Sequence, residues 1–470
     1  MGCVPFNRVL AKPEGYGRFS SPLRRLRMFY ILPFEYIMER TFTMNNFIQS
    51  LCDYLNSAHS AYHAQAGLVG ELEKNGYVNL PEWEDWCLVP GGKYYVTRDG
   101  AAVIAFRVPQ GEPQGFLMAA AHTDRPCLKL KENGEKVGPY TTLQVERYGG
   151  MLMAPWLDRP LSVAGRVLVE TEEGLRTALV DLQRDLLLIP NVAIHMNRQA
   201  NDGYKWNPVM DMNPLAGGKD AAGKLMALVE EAAGGKILGH DLTLYVREPA
   251  KVWGLEEEYI SGQGLDDLQC VWGCFRGFLD AAPGGSVPVF CALNSEEIGS
   301  CTPGGAGSTF LEDVLTRIAQ ALGRDVRRLL SQSFLVSADN AHAIHPNHPE
   351  LADPANAPVM GEGIVIKFNS NMRYCTDAVS AALFRRVCAQ AGVAVQTYYN
   401  RPDIPGGSTL GCISIGHVSV PTVDIGLPQL AMHSCYETAS TADTAALLAA
   451  MTRYFSTTLT HPAPTDYTLH

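Results

Sequence analysis

The chain has 470 residues, 46% of them hydrophobic and 19% charged, which is long enough to bury a large core in two or more domains. Its formal net charge is −11, with no dense basic stripe beyond the N-terminus, which excludes nucleic acid as the main partner. No stretch reaches the ~20 apolar residues of a membrane span. The 12 cysteines follow no disulfide framework, so buried free thiols in a reducing cytoplasm are expected.

Residues 1–43 stand apart. "RRLRMFYILPFEYIMERTFT" is rich in arginine and aromatics and lacks a small-residue cleavage site. The preferred expectation is a native start at Met44, with the preceding segment a start-site artefact; the alternative is a genuine extension or targeting arm. From Met44, "MNNFIQSLCDYLNSAHSAYHAQAGLVGELEKNG" is spaced as a pair of amphipathic helices. "KYYVTRDGAAVIAFRV" alternates and turns at Asp99-Gly100, which predicts a hairpin. "GFLMAAAHTDRP" predicts an apolar strand ending at His122 and Asp124.

The character changes over residues 132–252. Helical periodicity is thin, and short β-rich segments such as "SVAGRVLVET" and "LTLYVRE" flank the Gly/Asn/Pro-rich tract "NRQANDGYKWNPVMDMNPLAGG". An inserted β domain with a long functional loop is expected.

Helix and strand patterns then alternate. "LDDLQCVWGCFRGFLDA" predicts a helix whose Cys270 and Cys274 are core, and "VPVFCAL" a strand. "TFLEDVLTRIAQALG" predicts a helix opened by a Thr309-to-Glu312 capping box and closed at Gly323. "SFLVSAD", "GIVIKFN", "VAVQTYY" and "PTVDIGL" predict further strands, and "DTAALLAAMTRYFSTTL" a last helix. The expected architecture is α/β: residues 44–131 and 253–470 form a mostly parallel sheet with helices on both faces.

In such sheets ligands bind beyond the carboxyl ends of the strands. Five segments deliver carboxylates or imidazoles there: His122 with Asp124, Asp266 with Asp267, Glu296 with Glu297, Asp339, and His433. A single strand-end aspartate is ordinarily a helix cap, and a single histidine a satisfied structural one. Five together repel unless a cation offsets them. Histidine and carboxylate without cysteine suit Zn²⁺, Co²⁺ or Mn²⁺. A pair of ions sharing one carboxylate fits the count, with His122 and Asp339 on one side and Glu297 and His433 on the other. Glu296 is then left free to act as a base.

The segments "AAHTDRP", "LDDL", "NSEEIGS", "SADNAHAIHPNHPE", "IKFNSNMRY", "GGSTLG" and "AMHS" resemble, in order and spacing, the M18 metallo-aminopeptidases, the aspartyl aminopeptidase family, in a bacterial-type form. The resemblance runs from about Met44 to the C-terminus. It implies a zinc-exopeptidase-like fold, with residues 132–252 as an inserted β-rich dimerisation domain. It implies two divalent ions per subunit, Zn²⁺ ahead of Co²⁺ or Mn²⁺, held by His122, Asp266 as the bridge, Glu297, Asp339 and His433. Glu296 falls on the general base for a metal-bound hydroxide nucleophile, and Asp124 on the carboxylate that orients His122. His195 matches a histidine that reaches a neighbouring subunit's active site. Lys367 and Tyr374 match residues beside the substrate, Lys367 as partner of an acidic side chain.

The implied partners are peptides with a free N-terminus, acidic at the first residue, and further copies of the chain, as dimers assembling to a dodecamer. A related dinuclear deacylase or dipeptidase, and a catalytically silent assembly or cargo protein, are the alternatives. This sequence departs from the family pattern in places. Gly264 and Asp267 replace an arginine and an asparagine around the bridge, "LNSEEIGS" stands for "DNEEVGS", and Gly304 and Met372 replace glutamines. None of these removes a ligand or the base; Asp267 adds a negative charge near the metals.

Overall fold

A computed structural model describes residues 46–404, 406–463 and 466–470. The expectation for residues 1–43 lies outside them. The strand Phe116–His122 explains the architecture. All seven of its residues are buried, and they alternate between two cores: Leu117, Ala119 and Ala121 pack into one, Phe116, Met118 and Ala120 into the other. A strand buried on both faces requires cover on both faces. The helices Leu265–Asp280, Ala378–Ala391 and Thr441–Phe455 supply the first core, and Phe310–Ala321 with Val326–Leu330 the second. Each fully buried Leu or Phe contributes roughly 1.5–3 kcal/mol.

The strand belongs to a nine-stranded, mostly parallel sheet. Its centre is four parallel neighbours in the order Val287–Leu293, Phe116–His122, Phe334–Ala338 and Thr422–Gly426. Antiparallel strands enter only outside this centre, including the hairpin Lys93–Arg98 with Ala102–Arg107, which closes through Asp99 and Gly100, both at positive φ.

A separate six-stranded antiparallel sheet is built from Cys127–Val137, Tyr140–Tyr148, Leu161–Thr171, Gly174–Asp181, Leu215–Gly218 and Ile237–Val246. It has its own core, including Trp156, Val163, Leu242 and Leu244. This region also contains a ten-residue helix, Lys224–Ala233, that the thin periodicity did not suggest; it lays Leu225, Val229 and Ala233 on the sheet. A second difference concerns the helix Phe310–Ala321. Thr309 makes no capping hydrogen bond; its hydroxyl donates to Asp313 Oδ2 at 2.7 Å instead. Among the described residues, every cysteine is a free thiol, and no helix is long and apolar enough to cross a membrane.

Candidate metal centre

The carboxyl ends of the parallel strands deliver the site. His122 is the last residue of its strand and pairs in register with Leu293. The chain leaving Leu293 turns through Ser295 at φ 64°, so Glu296 and Glu297 come round in a 3-10 turn beside His122. Asp339 follows the strand Phe334–Ala338 directly. Asp266 and Asp267 begin the helix Leu265–Asp280 with non-helical backbone angles. His433, at φ 66°, follows the strand Pro428–Leu430.

Asp266 lies between two imidazoles. Its Oδ1 is 3.4 Å from His122 Nε2, and its Oδ2 is 3.5 Å from His433 Nε2. Glu297 Oε2 is 3.4 Å from the same His433 nitrogen. Ligand-capable atoms of His122, Asp266, Asp267 and Asp339 lie within 4.8 Å of one another, as do those of Asp266, Glu297 and His433. These gaps are wider than hydrogen bonds. Asp266 Oδ1, Asp267 Oδ1 and Glu297 Oε1 are buried without a hydrogen-bond partner. Orphaned buried carboxylate oxygens are costly unless a cation offsets them. A donor set of imidazole and carboxylate with no thiol fits Zn²⁺ or a similar divalent ion.

The charges respond to this crowding. Burial, with Asp339, Asp266 and Asp124 adding to it against His122, raises Glu296 to about 7. Asp266 is held well below the usual carboxylate range: burial opposes this, but the two imidazoles prevail. His122 is held well above its ordinary value, against burial, by Asp124 and Asp266.

Three buried groups hold these candidate ligands from behind. The Asp124 carboxylate accepts the N–H of Glu296 at 3.0 Å, the N–H of Glu297 at 3.2 Å and the Tyr148 hydroxyl at 2.8 Å. His122 Nδ1 lies 3.1 Å from the main-chain carbonyl of Asp124 and 3.4 Å from its carboxylate. Glu437 accepts from the N–H of Asp266 at 3.0 Å and of His433 at 2.8 Å. Lys367 Nζ donates to the carbonyls of Asp339 at 2.6 Å and Asn340 at 3.3 Å, and stands 3.4 Å from Asp339 Oδ2. Its ammonium is therefore turned to Asp339, and Tyr374 packs with its ring centroid 5.2 Å away. His195 is not in this group; it is exposed on a turn.

Sequence reasoning did not single out Glu437 or Tyr148. Tyr148 ends a strand of the antiparallel sheet, and Glu437 begins a short strand four residues past His433, with no local pattern to mark either. A further grouping, Cys375, Cys412 and Asp424, needs no cation, because Asp424 already accepts from Thr409 Oγ1 at 2.6 Å and from the Cys375 N–H.

Comparisons with known proteins assign the chain a family. The family model described as aminopeptidase I zinc metalloprotease (M18) matches residues 54–455. A Clostridium acetobutylicum protein named "Probable M18 family aminopeptidase 2" is 39% identical over 413 residues, covering 84% of this chain and 95% of its own. A chain of the Ape4 and Nbr1 complex superposes with a TM-score of 0.85 at 33% identity, over 88% of this chain and 86% of that one. The S. cerevisiae mApe1 dodecamer gives a TM-score of 0.77 at 25% identity, over 87% and 95%. The strand-end histidines and carboxylates thus sit in a chain that belongs to the M18 family of zinc metallo-aminopeptidases, exopeptidase hydrolases.

Proposed function

We propose that this chain is a two-metal aminopeptidase that removes the N-terminal residue from peptides with a free N-terminus, with acidic residues preferred. The observation that carries the reading is Asp266, whose two oxygens face His122 Nε2 at 3.4 Å and His433 Nε2 at 3.5 Å. On this reading His122, Asp266 and Asp339 hold one ion, and Asp266, Glu297 and His433 the other, both Zn²⁺. Divalent ions bound here supply Lewis acidity at the scissile carbonyl and ease the ionisation of water.

The remaining work belongs to side chains. Glu296 takes the proton of the attacking water and returns it to the leaving amine. A carboxyl raised to about 7 is suited to both halves of that transfer near neutral pH. Asp124 keeps Glu296 in place by its main-chain N–H and orients His122. Lys367, expected from the sequence to partner an acidic substrate side chain, instead spends its charge on Asp339 and two main-chain carbonyls, so the acidic preference rests on the family resemblance alone.

The inserted domain of residues 132–252, whose antiparallel sheet runs over 127–246, acts as the dimerisation domain, and His195, exposed on its turn, reaches the site of a neighbouring copy. The likeness to the mApe1 dodecamer supports dimers assembling to the same size. A cytoplasmic enzyme with no nucleic-acid or membrane partner completes the reading.

The test is turnover of aminoacyl substrates beginning with Asp, Glu or Leu, free and N-acetylated, by zinc- or cobalt-loaded chain and its Glu296→Gln variant. Cleavage of free substrates only, lost in the variant at unchanged metal content, is expected. Equal cleavage of acetylated substrates replaces the aminopeptidase reading with a deacylase.

A further inference from the structure

Asp267 follows Asp266 directly, and both leave helical backbone angles. Its side chain is fully buried. Oδ2 accepts from the main-chain N–H of His122 at 3.1 Å, while Oδ1 has no hydrogen-bond partner. An oxygen of Asp267 lies in the same 4.8 Å cluster as His122, Asp266 and Asp339; the cluster of Asp266, Glu297 and His433 has no counterpart to it.

A carboxyl buried with an unused oxygen stays ionised only with a cation beside it, and otherwise keeps its proton. The nearby ammonium, Lys367, is committed to Asp339, and the Cys270 thiol, which also faces Asp267, donates to Asn340 Oδ1 at 3.1 Å. Asp266, Asp267 and Asp339 bring three negative charges. Lys367 offsets one, and a single divalent ion offsets the other two. The geometry points to Asp267 as an additional carboxylate ligand of the ion beside His122, making that half of the centre oxygen-rich and shifting its preference toward harder ions such as Mn²⁺. This inference rests on the two-metal reading above.

Asparagine separates ligation from support. In Asp267→Asn the amide oxygen still accepts from the His122 N–H, but an NH₂ group with no lone pair to offer stands where Oδ1 was. Metal-free full-length wild type and D267N are titrated with Mn²⁺, followed by the EPR signal of the free ion, and with Zn²⁺ against a chromophoric chelator. Two ions per wild-type chain are expected. In D267N one of the two Mn²⁺ sites weakens by about tenfold or more, and Zn²⁺ binding by less.

Unchanged Mn²⁺ affinity at both sites in folded D267N overturns the inference and leaves Asp267 as a support for His122. Fewer than two ions in the wild type sinks the two-metal reading itself. If D267N does not fold, the Co²⁺-loaded wild type decides: one ion with weak five- or six-coordinate absorption is expected, and intense four-coordinate bands from both ions overturn the assignment.

Discussion

The main-chain N–H of His433 donates to Glu437 Oε1 at 2.8 Å, while the other oxygen of that carboxylate accepts the N–H of Asp266 at 3.0 Å. One buried side chain thus fixes the backbone of two proposed ligands that are distant in sequence. Glutamine offers one acceptor in place of two, so Glu437→Gln leaves one of these N–H groups facing an NH₂. The expected cost is about 1–3 kcal/mol of stability and roughly 10–100-fold in metal affinity. Thermal unfolding and chelator competition read the two effects separately. Unchanged metal affinity means that the ligand backbones need no such brace.

Asp124 does the same for the turn that carries Glu296 and Glu297, with three donors converging on one carboxylate. Tyr148→Phe removes one donor and leaves the others, so a drop in kcat/KM of less than about tenfold is expected, the scale of one hydrogen bond. Asp124→Asn can satisfy fewer of the three and also disturbs His122. Its expected loss is about 100-fold or more, with partial loss of bound metal. Equal effects of the two substitutions contradict this ranking.

What could be read without the structure follows from these contacts. His122, Glu297 and Asp339 were legible because each ends or follows an apolar run, and such runs are strands buried on both faces. Glu437 was not. It reaches Asp266 because the strand Glu437–Ser440 pairs antiparallel with Tyr259–Gly262, placing Glu437 opposite Gly262. No local period encodes a pairing between such distant segments. The helix Lys224–Ala233 was hidden for a different reason: Leu225, Val229 and Ala233 do form an apolar stripe, but one of only ten residues inside a tract otherwise dominated by short β-rich segments. At Thr309 the local rule failed because the hydroxyl turns to donate to Asp313 and caps no helix N–H, while the N–H of Phe310 goes to Ser308 Oγ at 3.2 Å.

Lys367→Met tests the support behind Asp339. The variant keeps a side chain of similar length but leaves a buried carboxylate without its cation, which costs about 3–5 kcal/mol. The loss is expected to be larger in metal-free protein than in zinc-loaded protein, because a bound divalent ion offsets the same charge. Melting curves of wild type and variant, each with and without zinc, measure that difference. Equal destabilisation in both states contradicts a metal beside Asp339.

His63 gives a pH dependence outside the centre. Burial, with smaller contributions from His59 and Arg125 and opposed by Asp181, lowers its imidazole from 6.5 to about 4. The ring is held neutral, with Nδ1 2.8 Å from the Ser60 hydroxyl that caps the following helix. Between about pH 4 and 6.5 the unfolded chain binds the proton and the folded chain does not. Stability from this residue is therefore complete above 6.5 and lost as pH falls toward 4, by roughly 3 kcal/mol. Urea unfolding of wild type and His63→Asn at pH 4.5, 5.5 and 7 isolates the effect, because protonation of the proposed metal ligands is common to both. The wild type is expected to lose stability more steeply than the variant as the pH falls; parallel slopes mean that His63 is protonated in the folded chain as readily as in the unfolded one.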